Sequence, residues 1–138
     1  MDRLKIHSSE VSDLKFSRDN KYLVSSGRDG TLTARDLQKP NLIRTIGTSS
    51  KSADPSPAFF GMAMLPDPEL VAVSSQDGSV LIFSLETGEL KRELNGHHDA
   101  VEQVVVSTDQ KWLVSVSRDR TICCWNLTDY SMGNRIYP

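Results

Sequence analysis

Three side-chain types that could do chemistry recur in this chain at one spacing. His97, Ser115 and Asp119 supply an imidazole, a hydroxyl and a carboxylate, with Asp 22 positions after His. His7, Ser25 and Asp29 repeat the set at the same interval. These are the groups of a hydrolytic triad, in which the base takes the hydroxyl proton and the carboxylate orients the base. They are equally a set that can satisfy its own hydrogen bonds inside a protein core. The structural reading outweighs the catalytic one. The set occurs twice in one chain, and no Gly-x-Ser-x-Gly nucleophile turn accompanies it. Cys123, Cys124, His97 and His98 form a conceivable zinc set. Neighbouring residues of a strand point to opposite faces, so the two cysteines do not readily reach one ion. No metal, no cofactor and no enzymatic activity are therefore expected.

The elements that position these residues are repeats. Residues 7–32 and 97–122 match without gaps, within blades expected at 7–46 and 97–130. Tyr22-Leu23-Val24-Ser25 corresponds to Trp112-Leu113-Val114-Ser115, and Arg28-Asp29-Gly30-Thr31 to Arg118-Asp119-Arg120-Thr121. A diverged copy at 58–94 keeps Asp77-Gly78 but has Val73 where the others have serine. Asp-Gly between β-rich runs predicts a tight hairpin, since Gly supplies the positive φ of the turn. Asp119-Arg120 holds that place without glycine. Val80-Leu81-Ile82-Phe83 and Ile122-Cys123-Cys124-Trp125 are continuous apolar runs, as in strands covered on both faces. Residues 42–46 and 90–94 alternate apolar and polar, as outer strands do. Arg3-Leu4-Lys5-Ile6 aligns with these and predicts an N-terminal outer strand that could close a ring. Residues 131–138 are a tail, read either as a weak outer strand or as disordered. Gly47 to Pro57 is rich in Ser and Pro and reads as an irregular linker, with Ser56-Pro57 a conceivable phosphorylation site. Almost no helix is expected.

Composition narrows the function classes. The chain has 138 residues, 16 Lys and Arg against 18 Asp and Glu, and 38% apolar residues. A net charge of −2 gives no basic excess for nucleic acid or an anionic membrane. No apolar run is long enough for a membrane helix, and the charged start Met1-Asp2-Arg3-Leu4-Lys5 predicts no signal peptide. Two adjacent cysteines make no disulfide framework, so a reduced intracellular compartment, cytoplasm or nucleus, is expected.

The run Gly96-His97 … Asp119 … Trp125-Asn126 resembles a WD40 repeat, which opens with Gly-His and closes with Trp-Asp. The resemblance covers nearly the whole chain as three repeats, the second degenerate. The closing pair is Arg35-Asp36 in the first copy, Phe83-Ser84 in the second and Trp125-Asn126 in the third. It implies an all-β fold of three four-stranded antiparallel blades, a partial propeller or half of a closed ring. It also implies a hydrogen-bonded chain within each blade: His97, Ser115, Asp119 and Trp125 in the third, His7, Ser25 and Asp29 in the first, and only Asp77 in the second. Arg35 could donate to the serine in place of tryptophan. The sparse set in the second copy makes it the expected most mobile blade.

Three blades are too few for a propeller. Further blades are therefore expected from a longer chain, a second copy or another subunit. The family implies a non-catalytic interaction scaffold whose top face binds a protein or peptide. An alternative is a structural half-propeller with no ligand of its own, and a hydrolase is a remote third. By the family pattern the contact positions are Glu10, Ser12 and Arg28 in the first copy. They are Ala58, Phe60 and Gln76 in the second, and Ala100, Glu102 and Arg118 in the third. Arg28 and Arg118 suit an acidic or phosphorylated peptide.

Overall fold

A computed structural model describes residues 3, 5–39, 41–46 and 57–136. The described residues hold twelve strands and no helix. Strands β1 (Val11–Phe16), β2 (Tyr22–Gly27), β3 (Leu32–Asp36) and β4 (Ile43–Ile46) form the first sheet. The second holds β5 (Phe59–Met64), β6 (Leu70–Ser75), β7 (Ser79–Ser84) and β8 (Leu90–Asn95). The third holds β9 (Val101–Val106), β10 (Trp112–Ser117), β11 (Ile122–Asn126) and β12 (Met132–Ile136). Every sheet is an antiparallel meander, so each strand pairs with its neighbours in sequence.

Turn chemistry explains the repetition. Asp29, Asp77 and Asp119 each accept, through Oδ1, the amide two residues on, at 3.1, 3.0 and 2.9 Å. This side-chain turn sets up the hairpin between the second and third strands of each sheet. Gly30 and Gly78 follow at φ 74° and 93°, and Arg120 takes the same left-handed place at φ 70°. A side chain there is strained, so the third hairpin is closed by its hydrogen bonds against a local cost. The first turn of the outer copies is built twice over in the same way. Ser17 and Ser107 donate to Asp19 and Asp109 and accept from the amides of Tyr22 and Trp112.

The sheets stack face to face with the second in the middle. One apolar cluster joins the first two sheets through Val24, Leu32, Ala34 and Ile46 against Met62, Val73, Leu81 and Phe83. Phe59 and Phe83 meet at 6.2 Å between ring centroids. A second cluster joins Ala72, Val80 and Ile82 to Val104, Leu113, Cys123 and Trp125. Each large side chain wholly buried here contributes about 1.5–3 kcal/mol. Strand β7 is buried along its entire length.

Two expectations need correction. The apolar run of β11 is covered on one side only: Cys123 and Trp125 are buried, Cys124 is half-buried and Ile122 is exposed. The reason is that no sheet packs on the far face of the third. The outer position of that third sheet is filled by β12, from the tail, so the tail is a strand. Among the described residues Arg3, Lys5 and Ile6 form no strand. The second copy, the one expected to be most mobile, lies between the other two sheets. The linker residues 47–56, including Ser56, lie outside the described residues.

Candidate functional site

Within the third sheet the chemistry-bearing residues form one chain of hydrogen bonds. His97 Nδ1 lies 3.0 Å from Asp119 Oδ2, and Nε2 lies 2.8 Å from Ser115 Oγ. The Trp125 indole donates to the same Ser115 oxygen at 3.0 Å. Thr121 donates its hydroxyl to Asp119 at 2.6 Å, and Arg135 of β12 donates to Asp119 at 3.0 Å. Burial pushes the Asp119 carboxyl up. Hydrogen bonds from Thr121, the His98 amide and His97 outweigh it and hold the group well below the usual carboxylate range. Ser115 is 0% exposed, so no substrate reaches its hydroxyl in this fold. The set is therefore arranged as a structural clasp between strands.

The first sheet has a shorter version. His7 Nδ1 lies 3.2 Å from Asp29 and Nε2 lies 2.8 Å from Ser25. Thr33, at 2.6 Å, shares a hydrogen bond with Ser25 where tryptophan serves the third sheet. Arg35 lines a small hollow with Ser25 and Thr33. In the second sheet Val73 is buried, and Asp77 accepts from Ser79 at 2.5 Å. Cys123 points inward, with Sγ 3.8 Å from His97 Nδ1. Cys124 faces the other way beside Trp112 and Asn134. Among the described residues no three His, Cys, Asp or Glu side chains gather as metal ligands.

The candidate partner site lies at the ends of the first strands, where β5 sits between β1 and β9. One backbone bond recurs in every copy. The amides of Arg28, Gln76 and Arg118 donate to the carbonyls of Glu10, Ala58 and Ala100 at 2.8, 2.9 and 3.0 Å. Each copy is thereby closed at an equivalent place. Register shifts in each first strand then lift Ser12, Phe60 and Glu102 out of the ladder at equivalent positions. Phe60 stands in the centre. The Arg28 guanidinium lies 5.5 Å and the Arg118 guanidinium 5.7 Å from its ring centroid, both within cation–π range. Arg28 donates to Glu10 at 3.1 Å, and Arg118 donates to Glu102. A polar cleft of about 350 Å³ opens here, lined by Glu10, Asp13, Arg28, Phe60, Glu102 and Gln103 among others.

The cleft thus gathers Glu10, Ser12, Arg28, Phe60 and Glu102, with Arg118 joined through Phe60 and Glu102. Ala100 is only 2% exposed and belongs to the core rather than the face. The Gln76 carboxamide accepts from the Ala58 amide at 3.1 Å, which ties it to the start of β5. Ser12 donates to the Phe59 carbonyl at 2.6 Å and joins two sheets. Asp13 does the same by accepting from the Met62 amide at 3.0 Å. Gln103 covers Gly61, whose missing side chain leaves it room. Asp13, Gly61, Gln103, Thr121 and Arg135 were not singled out in the sequence. Only Thr121 had a signal there, because Thr31 stands at the same offset in the first copy.

The family model for the WD domain, G-beta repeat, matches residues 1–33 and 88–126. Telomerase protein component 1 of Mus musculus is 35% identical over 126 residues, 89% of this chain and 4% of that protein. WD repeat-containing protein 36 of Homo sapiens is 26% identical over 88% of this chain and 13% of its own length. A U3 small nucleolar RNA-associated protein 21 homolog of Schizosaccharomyces pombe is 32% identical over 85% of this chain and 12% of its own length. The chain thus spans a small part of each relative. Among solved structures, U3-55K superposes with a TM-score of 0.83 at 20% identity, over 98% of this chain and 41% of that one. The WD40 β-propeller domain of Doa1 superposes at 0.80 and 20% identity, over 98% and 43%. With three four-stranded sheets in register, two carrying the His–Ser–Asp clasp, the chain belongs to the WD40 repeat family.

Proposed function

We propose that this chain is a non-catalytic platform that holds a protein or peptide partner at the cleft around Phe60. The observation that carries the reading is the half-buried Phe60 ring flanked by two guanidiniums, a combination of apolar surface and directed donors that suits hot-spot contacts. The guanidiniums favour an acidic or phosphorylated segment. Relatives named for telomerase and for U3 small nucleolar RNA association support a place in a nuclear ribonucleoprotein assembly. With 16 basic against 18 acidic residues, this chain would join such an assembly through protein rather than by gripping RNA. The test is a quantitative pull-down from the native source with the wild-type chain and an Arg28→Ala plus Arg118→Ala variant. Partner recovery is expected to fall about tenfold or more, as loss of two hot-spot arginines would give. Unchanged recovery overturns the reading.

A second reading rests on the two outward sheet faces. Leu14, Phe16 and Ile43 are exposed on the first sheet, and Val105, Val116 and Ile122 on the third. Apolar strands of this extent are normally covered. Further blades, from a longer chain, a second copy or another subunit, would cover them, and the chain's role would then be structural.

A further inference from the structure

The first residue of the closing pair has a fixed use in the two buried junctions. Phe83 shares one apolar cluster with Val24 and Ala34 of the sheet before it. Trp125 shares the other with Ala72 and Ile82. Tyr22 and Leu70, at the start of the second strands, pack against the same clusters from the receiving side. Arg35 holds the closing place on the first sheet, whose clasp-bearing face is open, with Leu14 and Ile43 exposed. On the open face of the third sheet the receiving positions are Trp112, Val114 and Cys124. The equivalence is one of register, since Val24 pairs with Ala34, Ala72 with Ile82 and Val114 with Cys124. With Asn134 these three residues line a hollow of about 270 Å³. We infer that this hollow is a socket for Arg35 of a second copy of the chain. The inference rests on the reading that a second copy covers the open sheet faces, and it names the side chains by which one copy recognises the next.

The hollow suits a guanidinium. Trp112 brings an indole to the place where the buried junctions have Tyr22 and Leu70. Its ring reaches across the sheet to Gly133 of β12, where a Cβ would lie only 2.6 Å from it. One face of the ring is thereby laid on the strands, and the other is left for an occupant. A planar guanidinium stacks on such a face, and tryptophan gives the strongest cation–π attraction of the aromatic side chains. Asn134 brings an amide oxygen to the same hollow, an acceptor for a guanidinium N–H. Without such acceptors a covered guanidinium would oppose association. The charge pattern agrees. Arg44 and Arg92 pair with Ala34 and Ile82 as Asn134 pairs with Cys124, so the first two sheets carry a cation where the third carries a neutral amide. Val105, Trp112, Val114, Cys124 and Asn134 bring no charge to the open third face. On the open first face Arg35 is the one charged residue around a hollow shared with Leu14, Leu23, Thr33 and Ile43. Ring and cation have thus changed sides. In the buried junctions the incoming residue is the ring and the receiving face bears the arginine. Between the open faces the arginine is incoming and the ring receives it.

The experiment measures association of the whole chain by sedimentation equilibrium over a dilution series, alongside the indole N–H resonances of its two tryptophans. Wild type is compared with Arg35→Gln, with Trp112→Leu, which installs the residue of the second sheet, and with the double variant. The Trp125 N–H is held by Ser115, so its resonance reports that the clasp and the fold are intact in each variant. In wild type the Trp112 resonance is expected to move with concentration. Each single substitution is expected to weaken association about tenfold, as loss of one desolvated cation–π contact would give. The double variant should be about as weak as either single one, since both remove the same contact. Additive losses, or a Trp112 resonance that stays fixed while mass rises, overturn the socket and leave covering by a second copy standing. A wild type that is monomeric at every concentration instead overturns the second copy as occupant and assigns the open faces to further blades, so the two failures are distinct.

Discussion

Asp119 concentrates more interactions than any other single side chain of the clasp. It receives His97, Thr121, the His98 amide and Arg135, and the bonds from Thr121, the His98 amide and His97 hold its carboxyl below its ordinary value despite burial. A carboxylate whose folded pKa is depressed stabilises the fold fully above its unfolded pKa of about 4. That contribution is lost as pH falls through the folded value. Asp29, which is lowered for the same reasons, acts in the same window. Thermal melts of the wild type are therefore expected to lose stability steeply below pH 4. An Asp119→Asn variant should start lower at pH 7, by about 2–3 kcal/mol, and show a flatter acid limb. An acid limb unchanged by the substitution would remove Asp119 from this role. His97, Ser115, Asp119 and Trp125 were legible because their spacing is fixed by strand lengths and turns. Arg135 was not, because it comes from a separate strand whose register no local pattern announces.

At the scale of elements, turn closure and burial compete with the clasp. Arg120 holds the left-handed turn position that Gly30 and Gly78 fill in the other copies. Arg120→Gly should therefore raise stability by about 0.5–1 kcal/mol in denaturant titration, and a loss would mean that its side chain makes a compensating contact. Burial decides the order of local opening. The second sheet lacks the serine and histidine, yet β6 and β7 lie between two apolar clusters. Their amides are expected to exchange most slowly, and those of β1 and β12 much faster. Slower exchange in β10 and β11 than in β6 and β7 would show that the clasp governs rigidity instead. The strands and hairpins were readable from Asp-Gly turns and apolar runs. The coverage of each face was not, because the pattern Ile122-Cys123-Cys124-Trp125 looks alike whether one or two neighbours pack on it. Phe60 was legible as a position through alignment. Its partnership with Arg28 and Arg118 arises only when three first strands come side by side.

For the whole molecule, the two uncovered faces are not alike. Each buried junction joins the clasp-bearing face of a later sheet to the opposite face of the sheet before it. The first sheet is left with its clasp-bearing face, where Leu14 and Phe16 are each 58% exposed. The third is left with the opposite face, where Val105 is 54% and Ile136 52% exposed. The open faces therefore match each other in the sense of the buried junctions, and a contact between copies would be head to tail. Such a contact has no two-fold axis of its own, so it closes into a ring or continues into open chains. The chain by itself is expected to self-associate, with light scattering showing mass rising with concentration. Leu14→Lys plus Phe16→Lys spoils one face, and Val105→Lys plus Val116→Lys spoils the other. Each variant alone should be monomeric, since every head-to-tail contact needs both faces. Mixed in equal amounts, the two variants retain one intact face each and should form a dimer that grows no further. A wild-type chain that stays monomeric at high concentration would sink this account, and would mean that the exposed strands are tolerated by solvent without a cover.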